Sequence, residues 1–138
     1  GLHGQRWLLS HGDILCLEDT EYLKFRAMVR TPEWQSAFLA RPLEERRALA
    51  RAMRTQSEDR KRNPSTIWAD VDTGAARQWL QQAQARTMVH GHTHRPAEHD
   101  LGNGLRRIVL SDWDAAAHPP RAQLLCLSAA GAQRVDLR

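Results

Sequence analysis

Two stretches of this chain run apolar residues straight into a histidine and a glycine. RWLLSHGD (residues 6–13) does so early, and TMVHGHTHRP (87–96) does so again much later. Short apolar runs of this kind read as strands buried in a sheet. Two strands that end alike can sit side by side, and that pairing constrains the fold more than any other feature. It brings His11 to the loop carrying His92 and His94.

The sequence between the two stretches is helical in pattern. Asp19 or Thr20 can cap a helix through EYLKFRAMVR, with Tyr22, Phe25, Ala27, Met28 and Val29 as its apolar face. Thr31-Pro32 interrupts it, and Pro32 suits the first turn of the next helix, in which Trp34, Ala37 and Phe38 recur. Pro42 opens the longest helical pattern, LEERRALARAMRTQSEDRKR. Its stripe is Leu43, Leu49, Ala50 and Met53, and Pro64 ends it. Asp72 or Thr73 starts a further helix with Ala76, Trp79, Leu80 and Ala83 on one side.

After the second histidine block the period shortens. LRRIVLSDW (105–113), AQLLCLS (122–128) and AQRVDL (132–137) read as strands, the last two joined by a turn at Ala129-Ala130-Gly131. Gly102-Asn103-Gly104 reads only as a turn. The order predicts an α/β layer arrangement whose C-terminal antiparallel strands finish a sheet.

HGHTH places three imidazoles within five residues. On an extended strand all three would share a face. Gly91 argues instead for a strand ending near His90 and a loop that presents His92 and His94. Such loops, at the carboxyl ends of strands, are where α/β folds place their sites. Neutral imidazole binds Zn, Mn, Fe or Ni and needs acceptors that orient it, a role open to Ser10 or Asp13. His11, His92 and His94 are therefore the candidate metal ligands. His90 and Asp13 are candidates for the layer behind them, and His3, His99 and His118 read as structural.

The 138 residues fit one domain, and none of the sequence approaches the ~18 consecutive apolar residues of a membrane span. No secretory leader is visible, although the chain begins with Gly1 rather than Met. Cys16 and Cys126 have no metal-binding spacing; they read as small buried apolar residues in a reducing compartment. The net charge is +4, with arginines concentrated at 41, 46, 47, 51, 54, 60 and 62. That run is a solvated helix face or a surface for anions such as phosphates or lipid. No nucleic-acid motif accompanies it, so no nucleic-acid partner is expected.

GHTHRP resembles the terminal metal motif of the calcineurin-like metallophosphoesterases, and SHGD resembles the family's preceding histidine block. With LEDTEY, RTQSED and IWADV included, the resemblance narrows to the UDP-2,3-diacylglucosamine pyrophosphatases of the lipid A pathway and covers most of residues 6–113. It implies the C-terminal half of a metallophosphoesterase sandwich, a partial domain over 1–138 with a helical insertion, or lid, at about 20–64. The D-x-H, G-D and G-N-[HR] blocks of the family's first half are not matched here, the Gly12-Asp13 pair belonging to SHGD.

The resemblance also implies hydrolysis of UDP-2,3-diacylglucosamine to UMP and 2,3-diacylglucosamine 1-phosphate with two Mn²⁺ ions. His11 and His92 correspond to ligands of one ion and His94 to a ligand of the other. Asp19, Ser57 and His92 correspond to substrate contacts; the chain departs from the family's Asn and Lys further on, with Lys61 and Pro64 in those positions, and Lys61 or Asn63 is expected to substitute. This chain alone is expected to be inactive. The implied location is the cytoplasmic face of the bacterial inner membrane, with the protein peripheral to an anionic lipid surface. Three other functions fit the residues: a metal-binding module without catalysis, a metallophosphoesterase acting on nucleotides or phosphodiesters, and an anion- or membrane-binding helical domain.

Overall fold

Side-chain caps set the helix starts. In the computed structural model, which describes residues 4–62 and 69–137, Asp19 Oδ1 accepts from Tyr22 N at 3.3 Å and opens α1 (Thr20–Val29). Thr31 Oγ1 accepts from Trp34 N at 3.2 Å and opens α2 (Pro32–Leu39), with Pro32 in the first turn. α3 spans Leu43–Arg62. Asp72 Oδ1 accepts from Ala75 N at 2.7 Å and opens α4 (Thr73–Gln82), which stops before Gln84 takes a left-handed φ of 52°.

Two compact units result, one of Gly1–Leu17 with Asp70–Arg138 and the other of Glu18–Ala69. The first is mixed α/β. Strands β1 (Trp7–Ser10), β2 (Thr87–His90), β3 (Ala97–Gly102) and β4 (Leu105–Val109) form a sheet in the order β1-β2-β4-β3. β1, β2 and β4 run parallel, and the register sets Ser10 beside His90 and His90 beside Val109. α4 packs on β2 and β4. Ala76, Leu80, Met88, Ile108 and Val109 have no exposed surface. At ~1.5–3 kcal/mol for each large apolar side chain removed from water, these residues hold the unit together. The second unit is α1, α2 and α3. None of its residues from 18 to 59 is buried, although Trp34 and Phe38 stack with ring centroids 5.0 Å apart.

The sheet departs from expectation in several places. β3 was not legible as a strand, and Gly102-Asn103-Gly104 closes the β3–β4 hairpin. β4 ends at Val109 and lies parallel to β2, because a hydrogen bond from Leu110 N to His90 O at 2.7 Å continues the parallel ladder. β5 (Gln123–Ser128) and β6 (Gly131–Asp136) pair with each other as a separate two-stranded sheet instead of finishing the first. Arg134 Nη2 ties that hairpin to Val109 O at 2.6 Å and Ala97 O at 3.2 Å. β1 is not a fully buried strand. It lies at the edge of the sheet, and Leu9 is 66% exposed. Both cysteines are free, Cys16 buried and Cys126 exposed, since Cys126 falls on the outward face of an alternating strand.

Candidate metal centre

The parallel strands β1, β2 and β4 end at one edge of the sheet. His11 follows β1, His92 and His94 follow β2, and Asp112 follows β4. Gly91 N donates to His11 O at 3.2 Å, joining the first two loops at the backbone. The His11 and His92 rings meet edge to face, with centroids 5.1 Å apart and planes at 72°.

The turn after β2 is not made by glycine. His92 and His94 themselves hold left-handed backbones, at φ 67° and 51°. A Cβ at Gly91 would meet nothing closer than His11 O at 4.0 Å. Histidine tolerates this region better than most residues, but at a cost of about 1–3 kcal/mol. His94 faces Asp112. Its Nδ1 lies 3.9 Å from Asp112 Oδ2, and its side chain is 59% exposed.

Asp112 is a site residue that the sequence does not announce. Arg121 grips it with two hydrogen bonds, Nε to Oδ1 at 2.9 Å and Nη2 to Oδ2 at 2.7 Å. Those bonds hold its carboxyl below the usual carboxylate range, so an anion faces His94. Its one sequence signal is position, just past the apolar run of β4.

His90 joins neither group. It is fully buried, and burial pushes its pKa below the ordinary imidazole value, with the Arg107 charge adding to the effect. Asp13 is buried and opens the 3₁₀ turn Asp13–Leu15. Ser10 Oγ accepts from Gly12 N at 3.2 Å. In the helical unit, Asp19 caps α1 and Ser57 is exposed on α3. Lys61 has its backbone in α3, but its side chain lies outside the described residues. Asn63 and Pro64, with His3, also lie outside them.

The donor chemistry suits a divalent ion of borderline softness, since His11 and His92 are adjacent imidazoles. Thr93 Oγ1, between His92 and His94, is buried with no partner among the described residues, an unmet polar demand in the same loop. The donor count is short. Among the described residues no three His, Cys, Asp or Glu side chains converge on one point. Two adjacent imidazoles, His11 and His92, are what the described residues bring together here.

No family model matches the chain. It is 47% identical over 136 residues to the UDP-2,3-diacylglucosamine hydrolase of Chromobacterium violaceum, a match covering 98% of this chain and 55% of the relative. It is 44% identical over 136 residues to the hydrolase of that name from Bordetella pertussis, covering 96% and 53%. The corresponding Chromohalobacter salexigens protein is 46% identical over 112 residues, covering 79% and 46%. The chain thus spans about half the length of the curated relatives it matches.

Proposed function

We propose that this chain is part of a UDP-2,3-diacylglucosamine hydrolase and supplies one side of its metal centre. The observation that carries this reading is 47% identity along nearly the whole chain. The His11–His92 contact supports it. The reaction is cleavage of the substrate's pyrophosphate to UMP and 2,3-diacylglucosamine 1-phosphate.

His11 and His92 hold one ion and His94 the other, and manganese is the metal proposed. When bound, the ions supply Lewis-acid polarisation of a phosphoryl oxygen and a water acidic enough to attack at neutral pH. The chain's residues hold and orient. Asp112, pinned by Arg121, steadies His94. His92 also reaches the substrate phosphate, and Asp19, Ser57 and Lys61 bind the rest of the substrate. The helices of the insertion at about 20–64 act as a lid within a metallophosphoesterase sandwich. Their partly open apolar side chains Tyr22, Phe25, Met28, Phe38, Leu49 and Met53 take the acyl chains. The arginines face anionic lipid at the cytoplasmic side of the inner membrane. Attachment is proposed as peripheral; no helix among the described residues is long and apolar enough to cross a membrane.

A metal-binding module without turnover is the second reading, favoured because no third ligand converges among the described residues. UMP release from UDP-2,3-diacylglucosamine, with and without Mn²⁺, separates the two. The assay compares the chain alone with the chain joined to the part of the relatives that it does not span. Turnover is expected only in the joined protein, and His92→Ala there is expected to reduce it on the order of 100-fold or more. Unchanged turnover in His92→Ala sinks the ligand assignment.

A further inference from the structure

We propose that Asp70, Arg107 and His90 form a positioning relay that fixes the spacing of the two histidine-bearing loops. The inference rests on the reading of His11 and His92 as ligands of one ion. It gives a task to Asp70, which belongs to the IWADV block and touches no candidate ligand directly.

His90 has no exposed surface and Arg107 is 4% exposed. Arg107 Nη2 donates to Asp70 Oδ2 at 2.8 Å, and its Nη1 lies 3.1 Å from His90 Nε2. A guanidinium can only donate, so His90 Nε2 is the acceptor and the ring proton sits on Nδ1. From there it donates to Gly91 O at 2.9 Å. Every polar atom of the ring is used, and its tautomer follows from the arginine.

The ring also reaches the other loop. Gly12 has φ 94°, and a Cβ there would lie 2.9 Å from His90 Nδ1 and 3.1 Å from its Cβ. His90 therefore touches the residue after His11 and bonds to the residue before His92. One rigid side chain gauges both loops at the point where Gly91 N meets His11 O. Asp70 supplies the anion that a buried guanidinium requires. Its Oδ1 is itself held by Val71 N at 2.7 Å. If stability were the only requirement, apolar residues at 90 and 107 would serve at least as well. They would also remove the buried, unpartnered Arg107 Nε.

The test uses Asp70→Asn in the chain, with Ile108→Val as a core control of modest destabilisation. Three quantities are read: Tm, the Co²⁺ dissociation constant, and the nuclear Overhauser effect between the His11 and His92 ring protons without metal. Asp70→Asn is expected to weaken Co²⁺ binding about tenfold and to lose the ring-to-ring signal, the loss seen when an outer partner of a ligand is removed. Ile108→Val is expected to lower Tm and leave both other readouts unchanged. The proposal is overturned if Asp70→Asn lowers Tm yet leaves affinity and ring signal as in the unaltered chain. If the unaltered chain binds no Co²⁺, the ligand reading has failed, and the ring signal alone decides positioning: its loss supports the relay and its retention overturns it. Should Asp70→Asn not fold, Arg107→Lys, which keeps the charge and loses the fork, is read the same way.

Discussion

The sheet unit and the helical unit are both rich in apolar residues, yet they use them in opposite ways. In the sheet unit Leu80, Met88, Ile108 and Val109 are wholly buried. In the helical unit no residue from 18 to 59 is buried, and Phe25, Met28, Leu39 and Leu43 are 39%, 49%, 63% and 51% exposed. The strands collect apolar residues from segments far apart in sequence onto one face. Tyr22, Phe25, Met28 and Val29 fall along one side of α1, yet none of them is buried. Helical spacing alone is thus no guide to a core. Local devices remain: the Asp19 and Thr31 caps, and exposed ion pairs such as Lys24–Glu21 and Arg47–Glu44, each at 2.8 Å. Exposed pairs of this kind are screened by water and contribute little. One unit buries its apolar side chains, and the other leaves them partly open.

The hardest test of that contrast is truncation in each unit. Ile108→Ala is expected to cost about 2–5 kcal/mol by urea denaturation, whereas Met53→Ala on α3 should cost under ~1 kcal/mol. Equal costs would erase the distinction. Gly12→Ala comes next, because it combines a left-handed backbone with a Cβ pressed against His90. A loss of about 2–4 kcal/mol is expected, and a neutral result would mean that the two loops are not gauged by that ring.

Acid titration sharpens the picture within the sheet unit. Burial opposes ionisation of Asp70, but its hydrogen bonds from Arg107 and Val71 and the Arg107 charge outweigh it, and its pKa falls below the ordinary value. A depressed carboxylate gives its full stabilisation above the unfolded-state pKa of ~4 and loses it as pH falls through the lower folded value. The stability advantage of the unaltered chain over Asp70→Asn should therefore be constant near neutrality and shrink below about pH 4. An advantage independent of pH rules out the ion pair. The smallest effect is expected at His94. Glycine relieves its φ of 51°. His94→Gly should therefore stay within ~1 kcal/mol of the unaltered stability, while His94→Ala is the less stable of the two.

Some of this architecture was legible because it is local. The caps at Asp19 and Asp72, the strand ends just before His11 and at His90, and the turn before Gly131 each depend on a few consecutive residues. β3 was missed because Ala-Glu-His-Asp-Leu-Gly is too polar to look like a strand; its signal was the alternation leading into Gly102-Asn103-Gly104. The left-handed turn fell to His92 and His94 although Gly91 is the residue that favours it. Asp112 was invisible as a site residue because nothing near it in sequence contains its partner, His94.

The sequence by itself determined which residues can cap, turn and alternate, and it placed imidazoles at the ends of two apolar runs. Those properties follow from side-chain chemistry and short-range sterics. Only the tertiary structure decided that β4 lies parallel to β2, that His11 meets His92 while His94 turns to Asp112, and that His90 lies under both loops on an arginine held by Asp70. Those outcomes depend on strand register and on the pairing of buried charges, where energies are settled between residues far apart in the chain.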